Sequence, residues 1–362
     1  MSGAAIDMSA YDAVPRDFRF LFKNLSNVEN SGPHIDVYLP STATPSETGF
    51  PLAIMYHGGG MVLGTSRQIP YKQVRYLLSQ GIAVVSLEYR LAPHVHIGDI
   101  RADLLDGYRY IHTELNEAIR KAGVTDKIID TTRCIALGWS AGAMCVIYLA
   151  ADIISVNQKS DGQLPPLRAI VPAYPLVDFA LFDKPMQVDP CSITGRAVSQ
   201  LLEGPCATGF AHPIAPRIKA DSFDRGKTAP AVAQAIDSDV SASMSPRILW
   251  IAELTQDHSL CSWIAGHNAP YERSFSPLNL VTKDFPATFV LCAEEDELIP
   301  AKHSYDFYKA LKACDVEAEI GVGTGMKHGQ IEGLGSEKIE EEKGWWEEVV
   351  LPALTFAIKH LE

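Results

Sequence analysis

Gly138-Trp139-Ser140-Ala141-Gly142 sets a serine between two glycines, where the apolar strand candidate Cys134–Leu137 runs straight into Ala141–Ile154, a stretch rich in helix formers. A serine at such a turn takes a strained backbone. Small residues two before and two after it let strand and helix approach, and the helix N-terminus aims amides at developing negative charge. The chemistry this suits is nucleophilic attack by the Ser140 hydroxyl. A glycine-rich turn with an incidental serine would read the same way, so a second cluster has to decide. His57-Gly58-Gly59-Gly60 closes the strand candidate Pro51–Tyr56. Consecutive glycines leave backbone N–H groups unshielded, so Gly58, Gly59 and Gly60, with the amide of Ala141, can face a carbonyl oxygen that becomes an oxyanion. A phosphate cradle is the competing use. No Lys-Ser/Thr follows, and the glycines do not open a helix, as a phosphate loop would require.

These residues need a rigid support, and the chain supplies strand and helix patterns in alternation. His34–Leu39 places Ile35, Val37 and Leu39 on one face, while Pro51–Tyr56 and Ile82–Leu87 are short apolar runs suited to buried strands. Leu104, Tyr108 and Ile111 then recur at helical spacing, and Ala169–Tyr174 is another strand candidate. This alternation predicts an α/β fold with a mostly parallel central sheet and helices on both faces. From about Leu181 to Phe275 the rhythm stops in a stretch with many Pro, Gly, Ser and Asp residues and helical pieces at Ala229–Ile236 and Pro246–Leu254. It resumes with strands at Ala287–Ala293 and Glu317–Val322 and a closing helical pattern over Ser336–His360. The expected organisation is a core of residues 1–180 and 276–362 interrupted by an inserted lobe at 181–275.

Between the two glycine motifs stands Tyr89-Arg90-Leu91-Ala92-Pro93. The three strings in this order resemble the hormone-sensitive-lipase-like carboxylesterases of the α/β-hydrolase fold. The resemblance runs from about Ile35 to Asp178 and from Ser276 to His328, and looks especially like hydrolases of fungal biosynthetic pathways. It implies an α/β-hydrolase core in which the lobe, joined by residues 1–30 around Phe18, Phe20, Leu21 and Phe22, caps the serine. It also implies the chain order serine, acid, histidine. Asp296, just past the Ala287–Ala293 strand and followed two residues later by Leu298, fits the family's acid, with Glu294, Glu295 and Glu297 as rivals. His328, in Gly325-Met326-Lys327-His328-Gly329, fits its histidine loop. Trp139 stands where the family usually has Asp, His94 where Glu is common, and Met61 where an aromatic is common. Met61 and Trp139 are therefore candidate substrate-contacting residues.

The implied mechanism is acyl transfer through Ser140, with His328 as base, Asp296 orienting it, and Gly58, Gly59, Gly60 and Ala141 as the oxyanion hole. No cofactor is needed for this, and His94 with His96, two residues apart and without Cys or carboxylate companions, suggests no metal site. The expected activity is hydrolysis of a small or medium hydrophobic ester, thioester or lactone, such as a pathway intermediate. Acyl transfer, cyclisation, a lyase or isomerase step, or ligand reception on the same scaffold are the alternatives. Leu201, Leu202, Phe210, Phe223, Trp250, Trp263, Tyr271 and Phe275 offer apolar surface for a pocket or for the lobe's own core. The chain has 362 residues and a net charge of −13 without a basic run, which disfavours nucleic acid as a partner. Its N-terminus lacks the pattern of a signal peptide, and its apolar runs end early, so a membrane span is not expected. The seven scattered cysteines form no CxxC pair, which points to reduced thiols and a cytoplasmic setting.

Overall fold

The computed structural model describes residues 14–41, 43, 46–124, 128–159, 164–182, 193–209, 247, 250–251, 254, 259–266, 273–332 and 344–362. Among them, eight strands form one sheet: β1 (Phe18–Leu21), β2 (His34–Tyr38), β3 (Phe50–Tyr56), β4 (Ala83–Leu87), β5 (Ile129–Trp139), β6 (Ala169–Ala173), β7 (Ala287–Ala293) and β8 (Ala318–Gly323). Their order across the sheet is β1-β2-β4-β3-β5-β6-β7-β8. β1 and β2 are antiparallel to each other, and β2 is antiparallel to β4. From β4 to β8 every neighbouring pair is parallel. The α/β class and the mostly parallel sheet thus follow the expected pattern.

The strands read as continuous apolar runs because both faces of the sheet are covered. β4 and β6 are buried along their whole length. In β3, Leu52, Ile54 and Tyr56 join the core on one face, with side chains of α2 (Ile97–Thr113), α4 (Ala141–Lys159) and α8 (Lys302–Ala313). Ala53 and Met55 join the core on the other face, with α1 (Tyr71–Ser79) and α9 (Leu351–Lys359). The period of two along the strand decides which residue meets which helix layer. Among the described residues, α4 is the one helix that by length and mean hydropathy resembles a membrane span, contrary to the expectation that no run comes near one, but 61% of that window is buried inside the fold. It is apolar on nearly all sides because it lies against the sheet and under α2.

One expectation needs correcting. Phe18–Leu21 is not lid material but the antiparallel edge strand β1, where Phe20 pairs with Ile35 and Phe18 with Val37. The alternating Phe18, Phe20 and Phe22 pack against the core instead. Contact with the lobe comes a few residues later: Val28 bridges to Cys206, the Cys206 amide donates to Asn27 O (3.1 Å), and the Glu29 amide donates to Cys206 O (2.9 Å). Within 181–275 the structure describes α6 (Ile193–Leu202) and α7 (Leu260–Ile264). The helical piece expected at Ala229–Ile236 lies outside the described residues. Of Pro246–Leu254, Arg247, Trp250, Ile251 and Leu254 are described, and all four are helical. Residues 336–343 of the closing helical pattern also fall outside; the rest is a π-helical turn at Trp346–Val350 leading into α9.

Candidate active site

The site lies beyond the C-terminal ends of the parallel strands, where an open α/β sheet gathers its connecting loops. β5 ends at Trp139 and α4 begins at Ala141, so Ser140 alone makes the turn, with φ +54°. That left-handed backbone is uncommon for a residue with a side chain, and local packing holds it. A Cβ at Gly138 would lie 2.0 Å from Gly142 O, and one at Gly142 would lie 2.0 Å from Tyr56 O. Only glycine at both places lets α4 leave the sheet this tightly. The Ser140 amide donates to Ala173 O (3.0 Å), which ties the turn to β6.

Ser140 Oγ is 3.0 Å from His328 Nε2, and His328 Nδ1 is 2.7 Å from Asp296 Oδ2. The second Asp296 oxygen accepts the amides of Leu298 and Ile299, each at 2.8 Å, so the carboxylate is held at both oxygens. The loops carrying Asp296 and His328 are joined by further bonds. The Glu295 amide donates to Met326 O (2.8 Å), the Gly325 amide donates to Glu294 Oε2 (3.2 Å), and Lys327 Nζ pairs with Glu297 Oε1 (2.7 Å). The three rivals of Asp296 therefore sort themselves: Glu294 and Glu297 brace the loops through their side chains, Glu295 does so through its backbone, and Asp296 faces the imidazole. Ser140, His328 and Asp296 together can pass a proton from hydroxyl to imidazole while a fixed anion faces the imidazolium that forms.

The glycine loop packs beside this chain of bonds. A Cβ at Gly58 would sit 3.3 Å from Ser140 Cβ, so the loop runs directly against the serine. Gly58 O lies 2.8 Å from His57 Nδ1, and Gly59 O accepts the amides of Val62 and Leu63, both at 3.0 Å. A trans peptide is planar, with its N–H opposite its C=O. The amides of Gly59 and Gly60 are thereby turned away from these bonds and left available as donors. Ala141, the first residue of α4, adds an amide of the kind that has no partner within its own helix. The Ser140 amide is spent on Ala173 and does not join them. Arg247, from the lobe, braces the same loop by donating through Nη1 to Val62 O and Ala92 O, each at 2.6 Å.

Two expected substrate contacts are corrected. Met61 is fully buried in the core, and Trp139 is 1% exposed and packs in the cluster around α1 and α9. Trp139 points away because successive side chains on β5 alternate between the faces of the sheet. Instead, lobe residues Ile251 and Leu260 come close to the loop: a Cβ at Gly60 would lie 2.8 Å from Ile251 Cδ1 and 3.5 Å from Leu260 Cδ2. Trp250 and Trp263 pack edge to face at 5.3 Å as members of the main core, and Leu201 and Phe275 lean on it. Leu202 is half exposed, whereas Phe210, Phe223 and Tyr271 lie outside the described residues. His94 lies within hydrogen-bond reach of Gly204 O (3.0 Å), and the His96 amide donates to Asp99 Oδ2 at the start of α2. The pattern reading also passed over Tyr174, whose ring packs on His328. The one sequence signal was its place at the end of a strand beside the serine turn. Nothing in the sequence marks Arg247, Ile251 or Leu260, since they meet the loop only through tertiary contacts.

Residues 53–249 match a family model described as the alpha/beta hydrolase fold. Among curated proteins, the chain is 26% identical over 377 aligned residues to a non-reducing polyketide synthase of Stachybotrys bisbyi, an alignment that takes in 99% of this chain and 16% of the synthase. It is 28% identical over 346 residues to another from Acremonium egyptiacum, covering 90% of this chain and 15% of that protein. The chain thus spans about one sixth of the length of these relatives. Among solved structures, carboxyl esterase 2 from Tuber melanosporum superposes with a TM-score of 0.56 at 18% identity, covering 94% of this chain and 86% of that one. An esterase from Thermogutta terrifontis does so with 0.55 at 14% identity, covering 96% and 94%. With the three motifs in order and the eight-stranded sheet, these likenesses lead to one conclusion: the chain belongs to the α/β-hydrolase fold family, in its hormone-sensitive-lipase-like branch.

Proposed function

We propose that the protein is a serine hydrolase that cleaves a carboxylic ester or thioester through an acyl-Ser140 intermediate. The observation that carries this reading is the unbroken line of hydrogen bonds from Ser140 Oγ through His328 to Asp296, starting from a serine held at φ +54°. As Ser140 Oγ attacks the acyl carbon, its proton moves to His328 Nε2, and Asp296 Oδ2 accepts the Nδ1–H of the imidazolium. The carbonyl oxygen becomes an oxyanion that takes hydrogen bonds from the amides of Gly59, Gly60 and Ala141; Gly58, expected to share that role, is assigned instead to leaving the serine room beside the loop. The proton on Nε2 then passes to the leaving alcohol or thiol. Water repeats the sequence on the acyl-enzyme and regenerates Ser140.

The acyl group we infer is a polyketide-type chain, small to medium in size and largely apolar. Supporting this are the likeness to polyketide synthases along nearly the whole chain and the apolar Ile251 and Leu260 beside the glycine loop. A polyketide acyl-enzyme can also be resolved by its own hydroxyl, giving a lactone in place of an acid.

Pre-steady-state kinetics with p-nitrophenyl esters of graded chain length test the reading. The intact protein is expected to show a burst followed by turnover, and Ser140→Ala and His328→Ala to lose at least ~10³-fold in kcat. A fluorophosphonate should add once to the intact protein, at Ser140. If all three proteins are equally inert and no adduct forms, the hydrolase reading is wrong. Product mass with a thioester substrate then separates hydrolysis from cyclisation.

A further inference from the structure

Tyr174 directly follows β6 and adopts φ +39°, a left-handed backbone that is rare for a bulky residue and is kept only where surroundings enforce it. Its amide donates to Leu291 O (2.7 Å) on β7, so the backbone is pinned to the sheet before the loop departs. The ring is 1% exposed, and its centroid lies 4.7 Å from that of His328, with the planes tilted by 57°. The preceding residue, Ala173, accepts the Ser140 amide through its carbonyl. Two consecutive residues at the end of one strand therefore hold the serine turn and the imidazole.

We propose that Tyr174 is a positioning residue that sets the orientation of His328 and, through its aromatic ring, favours the imidazolium formed when Ser140 gives up its proton. The inference rests on the reading of His328 as the base. A cation held over an aromatic face within about 6 Å of its centroid is attracted by the ring's negative potential, more strongly where water is excluded, and the 4.7 Å between the two rings lies within that reach. Neutral imidazole gains little from the same ring, so the contact strengthens as the proton arrives, which lowers the barrier rather than the energy of the ground state. Among the described residues, the other charged groups on the two loops that meet at His328 are Asp296, bonded to Nδ1, then Glu294, Glu295 and Glu297, and Lys327. None of them changes when only the electronics of residue 174 are altered.

The test replaces Tyr174 with phenylalanine and then with phenylalanines carrying one, two and three ring fluorines, which drain the ring face while nearly keeping its shape. Two readouts are taken on the full chain: the NMR titration of His328, which does not need turnover, and kcat and KM across pH. Tyr174→Phe is the reference of the series, so the loss of the hydroxyl is common to every member and only the ring face varies between them. Along the fluorine series the His328 pKa should fall stepwise by roughly half to one pH unit in all, moving the acid limb of kcat/KM to lower pH, with kcat falling and KM unchanged. A flat His328 titration along the series overturns the proposal, as does a Tyr174→Phe variant that already loses the full effect, since that would assign the role to the hydroxyl. Absence of a burst and of the fluorophosphonate adduct in the unsubstituted protein would instead overturn the hydrolase reading, and the His328 titration would still report on the ring.

Discussion

His57 heads the glycine loop, yet its side chain turns into the core. It is fully buried, its ring stacks on Tyr89 at 4.5 Å with planes 8° apart, and its Nδ1 lies 2.8 Å from Gly58 O. The Tyr89 hydroxyl also donates to His57 O (3.1 Å). The residue orients the first peptide of the loop from behind, at the cost of burying an imidazole. That burial lowers its pKa from the usual 6.5 to about 4. The folded state therefore resists a proton that the unfolded chain accepts from about pH 6.5 downward. Stability from this group is complete above pH 6.5 and is lost as the pH falls toward 4, by on the order of 3 kcal/mol in all. Urea unfolding at a series of pH values should show the decline, and His57→Gln should flatten it relative to the unsubstituted protein. An equal slope in both proteins would refute the assignment.

At the scale of elements, the decisive contact is between β5, the serine turn and α4. The strand is apolar and buried from Cys134 onward, most of the helix is buried, and Ser140 must join them in one residue. Gly138 and Gly142 make this possible because the helix backbone passes against the strand and against the end of β3. Gly142→Ala would place a methyl 2.0 Å from Tyr56 O and 2.7 Å from His57 O, both backbone atoms that side-chain rotation cannot relieve. The helix must shift, with a loss of about 3 kcal/mol of stability or more. Because His57 O belongs to the glycine loop, the same shift should cut kcat more than it raises KM. Thermal unfolding and steady-state kinetics on the variant check both parts, and an alanine variant with native stability would contradict the geometry.

Across the whole molecule, a buried ionic cluster ties the sheet edge to the loops around the site. Arg19 on β1 bonds Asp36 on β2 (2.9 Å) and Glu88 just past β4 (2.7 Å). Ser66, beyond the glycine loop, donates to Asp36 (2.7 Å), and Thr208 of the lobe donates to Glu88 (3.3 Å). Asp36 and Glu88 are almost wholly buried, whereas the Arg19 side chain is 25% exposed. Arg19→Leu would strand two carboxylates without their shared cation, which costs about 3–5 kcal/mol. Urea unfolding at pH 7 measures this, and a loss below 1 kcal/mol would show that Arg16, 3.4 Å from Asp36, takes over. Arg247 makes a second link, so Thr208 and Arg247 of the segment 181–275 reach the edge cluster and the glycine loop respectively.

The sequence by itself determined the strand and helix layers, since an apolar run or a period of two or 3.6 is a local property that burial later satisfies. It also determined the serine turn and the glycine loop, because a glycine forced by a close backbone approach leaves a mark at fixed spacing. The acid and the histidine were legible only in part. Four adjacent carboxylates, Glu294 to Glu297, are alike as text, and only the meeting of the loops after β7 and β8 turns Asp296 toward His328. Phe18–Leu21 misled because an amphipathic edge strand and a lid segment have the same composition, and pairing with β2 decides between them. Met61 and Trp139 were placed at the substrate because they depart from the family pattern beside the motifs, but strand alternation and the turn after Gly60 send both side chains into the core. Arg247, Ile251 and Leu260 belong to the tertiary structure alone, as does the contact of Tyr174 with His328. Each reaches the site across a sequence separation of more than thirty residues, a contact that no local pattern encodes.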